Sequence, residues 1–215
     1  MKMERQYTFA DQVCLGIDQV LRALSGVPTT TGRVYPGGRR SAEVLTAAEA
    51  KHAAGLMRVN HSGEVCAQAL YQGQALASRG SSVGEKLRQA AIEEGDHLAW
   101  CNQRLVELGS HASYLNPVWY VGSFCIGLAA GMAGDRWSLG FVAETERQVV
   151  QHLERQMERL PEKDERSLRI LEQMQVDEEL HRQEALELGA VDLPAGVQRL
   201  MRWVSGVMVR VAYYI

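Results

Sequence analysis

The sequence has almost no pattern that predicts β-structure. No stretch of useful length alternates apolar and polar residues, and the hairpin dipeptides Asn-Gly and Asp-Gly do not occur. Apolar residues instead recur at steps of three and four along much of the chain, as they do on one face of an α-helix. The sequence therefore predicts an all-α fold.

Cysteine motifs, strong charge and cofactor fingerprints are also missing. The four cysteines form no Cys-x-x-Cys pair and have no zinc spacing, which fits a reduced compartment. The formal net charge of −3 gives no reason to expect a nucleic-acid partner. No Gly-x-Gly-x-x-Gly follows a strand, as a nicotinamide or flavin site would require. The N-terminal residues contain no apolar block typical of a signal peptide, so we expect the protein on the cytoplasmic side.

The chain has 215 residues, of which 46% are hydrophobic, which suffices for one domain with a buried core. Helical spacing predicts a first helix, a loop rich in Thr and Gly, four longer helical segments and a final helix. We expect a single domain over residues 1–215, with an N-terminal helix and mobile loop over 1–40, a four-helix bundle over 41–188 and a C-terminal amphipathic helix over 195–215.

Capping and turn residues predict where several of these helices begin and end. The segment Thr46-Ala47-Ala48-Glu49 has the spacing of a capping box. Gly109 and Gly189 each follow a helical segment and are expected to end it. Asp135 is expected to cap the helix after the apolar run, and Pro161 is placed in the first turn of the next helix.

Two Glu-x-x-His quartets are the strongest functional signal in the chain. Glu94 and His97 form the first, and Glu178 and His181 form the second. Residues three apart on a helix lie on one face, so each pair can reach one ion. Carboxylate oxygens combined with imidazole favour iron or manganese over metals that prefer thiolates.

Each quartet is preceded by a lone glutamate at nearly the same distance. Glu64 precedes the first quartet, and Glu146 or its neighbour Glu144 precedes the second. The midpoints of the two intervals fall on residue 79 and at residues 161–162, and both lie in turn-forming sequence. If each helical hairpin folds back there, four glutamates and two histidines meet in the core of a bundle, as in di-iron carboxylate proteins. Symmetry alone does not separate Glu144 from Glu146.

Other acidic residues near the quartets are candidates for supporting the metal ligands. Metal-bound imidazoles usually donate their second N–H to a carboxylate or a carbonyl. Glu93 and Asp177 each lie four residues before a quartet histidine, and Asp96 lies beside His97. Each of the three could accept that hydrogen bond or could be a solvated acidic residue.

Two segments have the apolar character of a membrane-contacting surface. Residues 118–134 carry no charge but are fewer than the ~20 residues that span a bilayer as a helix. This segment is either a buried crossover or dips into one leaflet. The C-terminal helix combines apolar residues with Arg199, Arg202 and Arg210, which could pair with anionic lipid, or it packs on the core as an ordinary helix. Together, the two segments predict peripheral membrane contact.

At these residues the chain resembles the demethoxyubiquinone hydroxylase family, the Coq7-type enzymes of ubiquinone biosynthesis. The first matching segment is distinctive, because di-iron proteins in general do not carry it. The similarity extends over about residues 45–215, and the first 40 residues resemble a bacterial variant of the family. The matching segments are Arg58-Val59-Asn60-His61-Ser62-Gly63-Glu64, Glu93-Glu94-Gly95-Asp96-His97-Leu98, Phe141-Val142-Ala143-Glu144-Thr145-Glu146 and Asp177-Glu178-Glu179-Leu180-His181.

The order of hairpin, long crossover and hairpin predicts a ferritin-like four-helix bundle with a long crossover, plus N-terminal and C-terminal helices. The resemblance implies a specific set of iron ligands and selects Glu146 over Glu144. The implied ligands are Glu64, Glu94, His97, Glu146, Glu178 and His181.

The activity implied by the resemblance is that of an O2-dependent di-iron monooxygenase with two Fe2+ ions per chain. Its substrate would be a prenylated demethoxyubiquinol, which it would hydroxylate as a 3-demethoxyubiquinol 3-hydroxylase in ubiquinone biosynthesis. We expect a peripheral protein at the cytoplasmic face of the cell membrane, with no nucleic-acid partner. Its oligomeric state is open, with a homo-oligomer and association with other enzymes of ubiquinone biosynthesis as the alternatives.

Two other functions compete with this interpretation. A ferritin-like iron-storage or peroxide-handling protein would use the same six ligands. Storage shells need polar outer surfaces, so the uncharged segment 118–134 argues against that function. A metal-free helical scaffold at a membrane would instead leave the glutamates without a role in metal binding.

Overall fold

The computed structural model describes residues 9–38, 44–78 and 81–215. Over these ranges the chain forms seven helices and no strand, which confirms the all-α prediction. The helices are α1 (Phe9–Ser25), α2 (Ala47–Ala77), α3 (Ser82–Glu107), α4 (Asn116–Met132), α5 (Asp135–Met157), α6 (Glu165–Glu187) and α7 (Ala195–Ala212).

Helices α2, α3, α5 and α6 form a ferritin-like four-helix bundle. The first hairpin is α2 with α3, the second is α5 with α6, and α3 also packs against α6. The crossover between the hairpins contains α4, which the sequence predicted as an apolar run. The predicted turn at residue 79 lies outside the described residues, whereas residues 161–164 form a turn between α5 and α6 as expected. This topology brings the midpoints of the four helices to one height.

The predicted helix ends are confirmed at three positions. Thr46 and Glu49 form a complete capping box, in which Thr46 N donates to Glu49 Oε2 at 2.7 Å and Glu49 N donates to Thr46 Oγ1 at 3.3 Å. Gly109 follows α3 with a φ of 66°, and Gly189 follows α6 with a φ of 97°. Glycine adopts these left-handed conformations without the steric penalty of a side chain.

Two other predicted caps are wrong. Gly134, with a φ of 101°, is the N-cap of α5, and Asp135 is instead the first helical residue. Glycine has no side chain that could accept a hydrogen bond, so α5 has no side-chain cap. Helix α6 begins after Asp164, whose Oδ1 accepts a hydrogen bond from Ser167 N at 3.0 Å. Pro161 therefore lies in the preceding turn, because the aspartate caps the helix three residues later.

Helix α4 packs closely along α2 through glycines on both helices. A Cβ atom on Gly127 would lie 2.2 Å from the carbonyl oxygen of Leu70, and one on Gly73 would lie 2.4 Å from that of Phe124. The opposite face of α4 exposes large apolar side chains, including Val121 and Met132. The crossover is thus buried on one face and exposed on the other. None of the described helices is both long enough and apolar enough to cross a bilayer.

Two apolar clusters fill the bundle on either side of its midpoint. One surrounds Trp100 near the α5–α6 turn, and the other surrounds Tyr71 near the end that carries the α2–α3 connection. The first cluster contains Ala54, Met57, Trp100, Cys101, Leu105, Leu153, Ile170, Leu171 and Met174. The second contains Tyr71, Ala75, Val83, Leu87, Leu139, Val142, Ala143 and Ala185. The layer between them consists of charged residues.

The two terminal helices lie outside the bundle. Helix α1 packs Ala23 against α2, α3 and α4 in a small third cluster. Helix α7 is anchored at its C-terminal end, where His52 Nδ1 lies 2.6 Å from Tyr213 Oη and Arg58 Nη1 donates to Tyr213 O at 2.9 Å. Only Ala212 of α7 is buried, so most of its apolar residues do not pack on the core.

Candidate metal centre

One glutamate from each bundle helix lies in the charged layer between the two apolar clusters. The residues are Glu64 on α2, Glu94 on α3, Glu146 on α5 and Glu178 on α6, and all four are buried. His97 and His181 stand one helical turn after Glu94 and Glu178 and are buried with them. The spacing of three residues within each quartet places both of its side chains on the face that points into the bundle.

The two histidines share Glu94 and Glu178. His97 Nδ1 lies 3.1 Å from Glu94 Oε2 and 3.1 Å from Glu178 Oε1. His181 Nδ1 lies 3.1 Å from Glu94 Oε1 and 3.3 Å from Glu178 Oε2. Each of these carboxylates therefore presents one oxygen to each imidazole, so both glutamates lie within reach of both histidines.

Glu64, Glu94, His97 and Glu178 form the tightest part of the layer. Each offers a ligand atom within 4.8 Å of those of the other three, which fits a metal site. Glu146 is not part of this group of four, and its Oε1 accepts a hydrogen bond from Tyr71 Oη at 2.6 Å.

Glu144 points away from this layer. Its carboxylate accepts hydrogen bonds from Arg147 at 2.7 and 2.8 Å and from Gln148 at 2.6 Å. Glu146, two residues later, is 2% exposed and faces Tyr71 in the bundle. The structure thus brings Glu146 to the other five predicted residues and leaves Glu144 in an ion pair beside them.

The Nε2 atom of each quartet histidine contacts a carboxylate on the opposite helix, α3 or α6. His97 Nε2 on α3 lies 2.9 Å from Asp177 Oδ2 on α6, and His181 Nε2 on α6 lies 3.0 Å from Glu93 Oε2 on α3. A carboxylate can only accept a hydrogen bond, so each imidazole donates through Nε2 and directs Nδ1 toward the glutamates. Two of the three supporting candidates named from the sequence therefore contact a quartet histidine.

The electrostatics of the layer favour positive charge at the imidazoles. Burial opposes protonation, but hydrogen bonds with the surrounding carboxylates raise the pKa of His97 well above its ordinary value, and they raise that of His181 too. Burial raises the pKa of Glu64 and of Glu146, and their neighbouring carboxylates add to this effect. Burial acts in the same direction on Glu94, but hydrogen bonds with both histidines lower its pKa overall. Burial and repulsion between like charges thus oppose a negative charge on Glu64 and Glu146, and a bound cation would relieve both costs.

Two buried oxygens of this layer lack a well-aligned hydrogen-bond donor. They are Glu64 Oε2 and Glu94 Oε1, although the latter lies 3.1 Å from His181 Nδ1. A buried carboxylate oxygen without a donor is unfavourable unless a cation binds it. The donor set, which combines carboxylate and imidazole, suits iron or manganese. The residues present therefore fit a metal ion by both geometry and chemistry.

The sequence did not single out Thr31 and Arg33 as residues of this site. Thr31 N donates to Asp96 Oδ1 at 3.0 Å, so Asp96, the third supporting candidate, binds this loop and not a histidine. Arg33 Nη1 lies 2.7 Å from Asp177 Oδ2, the oxygen that also contacts His97. Although burial opposes ionisation, hydrogen bonds from His97 and Arg33 lower the pKa of Asp177 to about 2. No local spacing marks these residues, because the contacts join distant parts of the chain.

Comparison with known proteins identifies the family of this chain. The sequence model of the family described as "Ubiquinone biosynthesis protein COQ7" matches residues 51–212. The chain belongs to the COQ7 family. The expected resemblance is therefore confirmed, and the match runs from residue 51, near the start of α2, to the end of α7.

Several curated relatives align with the chain over nearly their whole length. A protein of Polynucleobacter necessarius subsp. necessarius (strain STIR1) is 55% identical over 95% of this chain and 98% of its own. A protein of Legionella pneumophila (strain Paris) is 53% identical over 98% of this chain and 100% of its own. One of Acinetobacter baumannii (strain ATCC 17978) is 54% identical over 98% and 100% of the two chains. All three are named 3-demethoxyubiquinol 3-hydroxylase.

Proposed function

We propose that this chain is a 3-demethoxyubiquinol 3-hydroxylase, an O2-dependent monooxygenase of ubiquinone biosynthesis. The observation that carries the proposal is the buried layer in which Glu94 and Glu178 each face both His97 and His181. The full-length similarity to relatives with this name supports the substrate class. Neither the relatives nor the family favours the storage or peroxide-handling alternative.

The centre holds two ferrous ions, and its ligands are the six residues named from the sequence. Charge supports this number, because four carboxylates balance two divalent cations when both imidazoles are neutral. The contacts of Nε2 with Asp177 and Glu93 leave Nδ1 of each histidine, which faces the glutamates, for the metal. Binding therefore displaces the Nδ1 protons that the carboxylates otherwise stabilise. The ligands are Glu64, Glu94, His97, Glu146, Glu178 and His181.

When bound, two ferrous ions supply electrons and a coordination site for O2. The overall reaction replaces one ring C–H bond by C–OH and releases the second oxygen atom as water, with two electrons and two protons supplied from outside. The apolar clusters around Trp100 and Tyr71 exclude bulk water on both sides of the layer. Tyr71 holds Glu146 in position by its hydrogen bond.

The substrate ring approaches the centre between α2 and α5. A crevice lined by Ala67, Leu70, Phe141 and Val142 leads to Tyr71 and Glu146. Its free volume of about 10 Å³ accommodates no more than one water molecule. A benzoquinol ring therefore needs the apolar side chains of this crevice to move apart as it enters.

The prenyl tail of the substrate places it in a lipid phase, so we also propose contact with a membrane. The exposed apolar faces of α4 and α7 support this contact, and Trp203 in α7 is 68% exposed. Arg199, Arg202 and Arg210 are exposed on the same helix and can approach lipid phosphates. The protein would then lie peripherally at the cytoplasmic face of the cell membrane as one domain over residues 1–215. We also propose that the protein associates with a second copy of itself or with other enzymes of ubiquinone biosynthesis.

A single-turnover reaction tests the proposed function. Protein loaded with ferrous iron is mixed with demethoxyubiquinol and ¹⁸O2, and the quinone product is analysed by mass spectrometry. Incorporation of one labelled oxygen atom is the expected result. If iron is oxidised while the quinol is unchanged, the centre binds iron but the hydroxylase assignment is wrong.

A further inference from the structure

A loop from the N-terminal part of the chain crosses α3 beside the metal centre. We call residues 27–35 the N-terminal strap. The carbonyl oxygen of Thr29 would lie 1.8 Å from a Cβ atom at Gly95, so the strap backbone rests directly on the helix there. Glycine inside a helix is unfavourable by about 1 kcal/mol relative to alanine, and this contact explains its presence. The next residue, Asp96, accepts hydrogen bonds from both N and Oγ1 of Thr31.

The strap continues to α6, where Arg33 binds Asp177. Arg33 Nη1 lies 2.7 Å from Asp177 Oδ2, and Nη2 donates to Asp177 Oδ1 at 3.1 Å. The guanidinium carbon also lies 4.9 Å from the centroid of the Trp100 ring. This two-pronged contact fixes the rotation of the carboxylate, as a single hydrogen bond does not.

The oriented carboxylate in turn holds His97. Asp177 Oδ2 lies 2.9 Å from His97 Nε2, while its other oxygen accepts from Gln173 Nε2 at 3.0 Å. Without Arg33, the remaining amide contact allows the carboxylate to turn away from the imidazole. His97 would then lose the hydrogen bond that directs its Nδ1 toward Glu94 and Glu178.

The corresponding pair in the other half of the centre has the same kind of amide contact. Glu93, which contacts His181 Nε2, accepts a hydrogen bond from Gln89 Nε2 at 2.9 Å, just as Asp177 accepts one from Gln173. Each amide lies four residues earlier on the same helix as its carboxylate. The two halves therefore share this contact, and Arg33 is the additional partner of Asp177.

We propose that Arg33 is a positioning residue for the metal centre. It holds Asp177 against His97, so the orientation of the His97 imidazole depends on the N-terminal strap. This inference rests on the proposed function, because it assumes that the centre binds iron. Arg33 contacts Asp177 and the Trp100 ring, and neither residue is a proposed metal ligand.

Iron affinity measures this role directly. Ferrous iron is titrated anaerobically into each protein in competition with a coloured chelator, and far-UV circular dichroism monitors helical content. We expect wild type to bind two ions and Arg33→Ala to bind the weaker of them about tenfold less tightly, within the range typical of partners of metal ligands. Arg33→Lys should recover part of the loss, since it keeps the charge but not the two-pronged contact. Arg22→Ala, which removes an exposed arginine from α1, is the matched control and should not change the affinity.

A double-mutant cycle separates positioning from a general structural effect. Asp177→Asn should weaken iron binding at least as much as Arg33→Ala, and adding Arg33→Ala to it should have little further effect. Wild-type affinity in Arg33→Ala, additive losses in the cycle or an equal loss in Arg22→Ala would each overturn the inference. If wild type binds no iron, the proposed function fails instead. Arg33→Lys retains the charge of the loop and provides a folded comparison if the alanine variant does not fold.

Discussion

Glu93 on α3 contacts His181 on α6, with 3.0 Å between Glu93 Oε2 and His181 Nε2. The reciprocal contact joins Asp177 on α6 to His97 on α3 at 2.9 Å. Each acidic residue directly precedes a quartet glutamate on its own helix but orients the histidine of the other helix. The two Glu-x-x-His quartets are therefore interlocked, and displacement of either helix disturbs both halves of the centre.

Loss of either histidine should remove hydroxylation without unfolding the bundle. We expect His97→Ala and His181→Ala to lower the rate of hydroxylation at least ~100-fold, because each variant removes one of the two imidazoles proposed to bind the metal ions. Quinone product is measured by mass spectrometry, and helical content by circular dichroism. His111→Ala is the control, since its ring is exposed and lies outside the bundle core. Full activity in either site variant would refute the ligand assignment.

Close packing of α4 on α2 predicts opposite effects at two glycines of the same helix. A Cβ on Gly127 would lie 2.2 Å from the Leu70 carbonyl oxygen, so Gly127→Ala should lower the free energy of unfolding by about 1–3 kcal/mol. A Cβ on Gly122 meets no atom within 4 Å, so Gly122→Ala should raise it by up to about 1 kcal/mol. Chemical denaturation measures both values. Equal effects at the two positions would show that backbone contact does not explain the glycines.

The exposed face of α7 should contribute to membrane binding. Replacing Trp203 and Val207 with serine removes two exposed apolar side chains one helical turn apart. We expect the double variant to float less with anionic liposomes than wild type, because binding strength follows buried apolar area. Val176→Ser is the control, since Val176 is an exposed valine on α6. Unchanged flotation of the α7 variant would count against this docking surface.

Buried His61 should make the fold sensitive to mild acid. Burial lowers the pKa of His61 to about 4 from an ordinary value of 6.5. Because its folded-state pKa is depressed, the stability it contributes is fully present above pH 6.5 and is lost as pH falls toward 4. The largest loss corresponds to about 3 kcal/mol.

A variant without this titration isolates the effect. His61→Gln keeps an acceptor for the Asn116 side chain, which lies 3.2 Å from His61 Nδ1. The unfolding free energies of both proteins are measured at several pH values with equal metal loading. We expect the difference between them to change in favour of the variant below pH 6.5 and to stay constant above it. A difference that does not vary with pH would contradict a buried neutral His61.

Local sequence patterns predicted the helical bundle, several helix ends and the two Glu-x-x-His pairs that the bundle buries together. The capping box at Thr46 is confirmed because both of its partners lie within one turn of the helix. Glu94 with His97, and Glu178 with His181, share a helix face by their spacing alone. The predicted caps at Asp135 and Pro161 failed, because the conformation of Gly134 and the carboxylate of Asp164 determine those helix starts.

The amino-acid sequence was enough to predict the all-α class, the two Glu-x-x-His quartets and the lone glutamate that precedes the first of them. These features depend on residue types and on the fixed periodicity of the helix. Helix spacing and symmetry left Glu144 and Glu146 open, and the family resemblance selected Glu146. The packing of the helices places Glu146 against Tyr71 in the interior and Glu144 against Arg147. The fold of the N-terminal loop brings Arg33 to Asp177. Such contacts depend on how separate helices and loops pack against each other, and no local period in the chain encodes that.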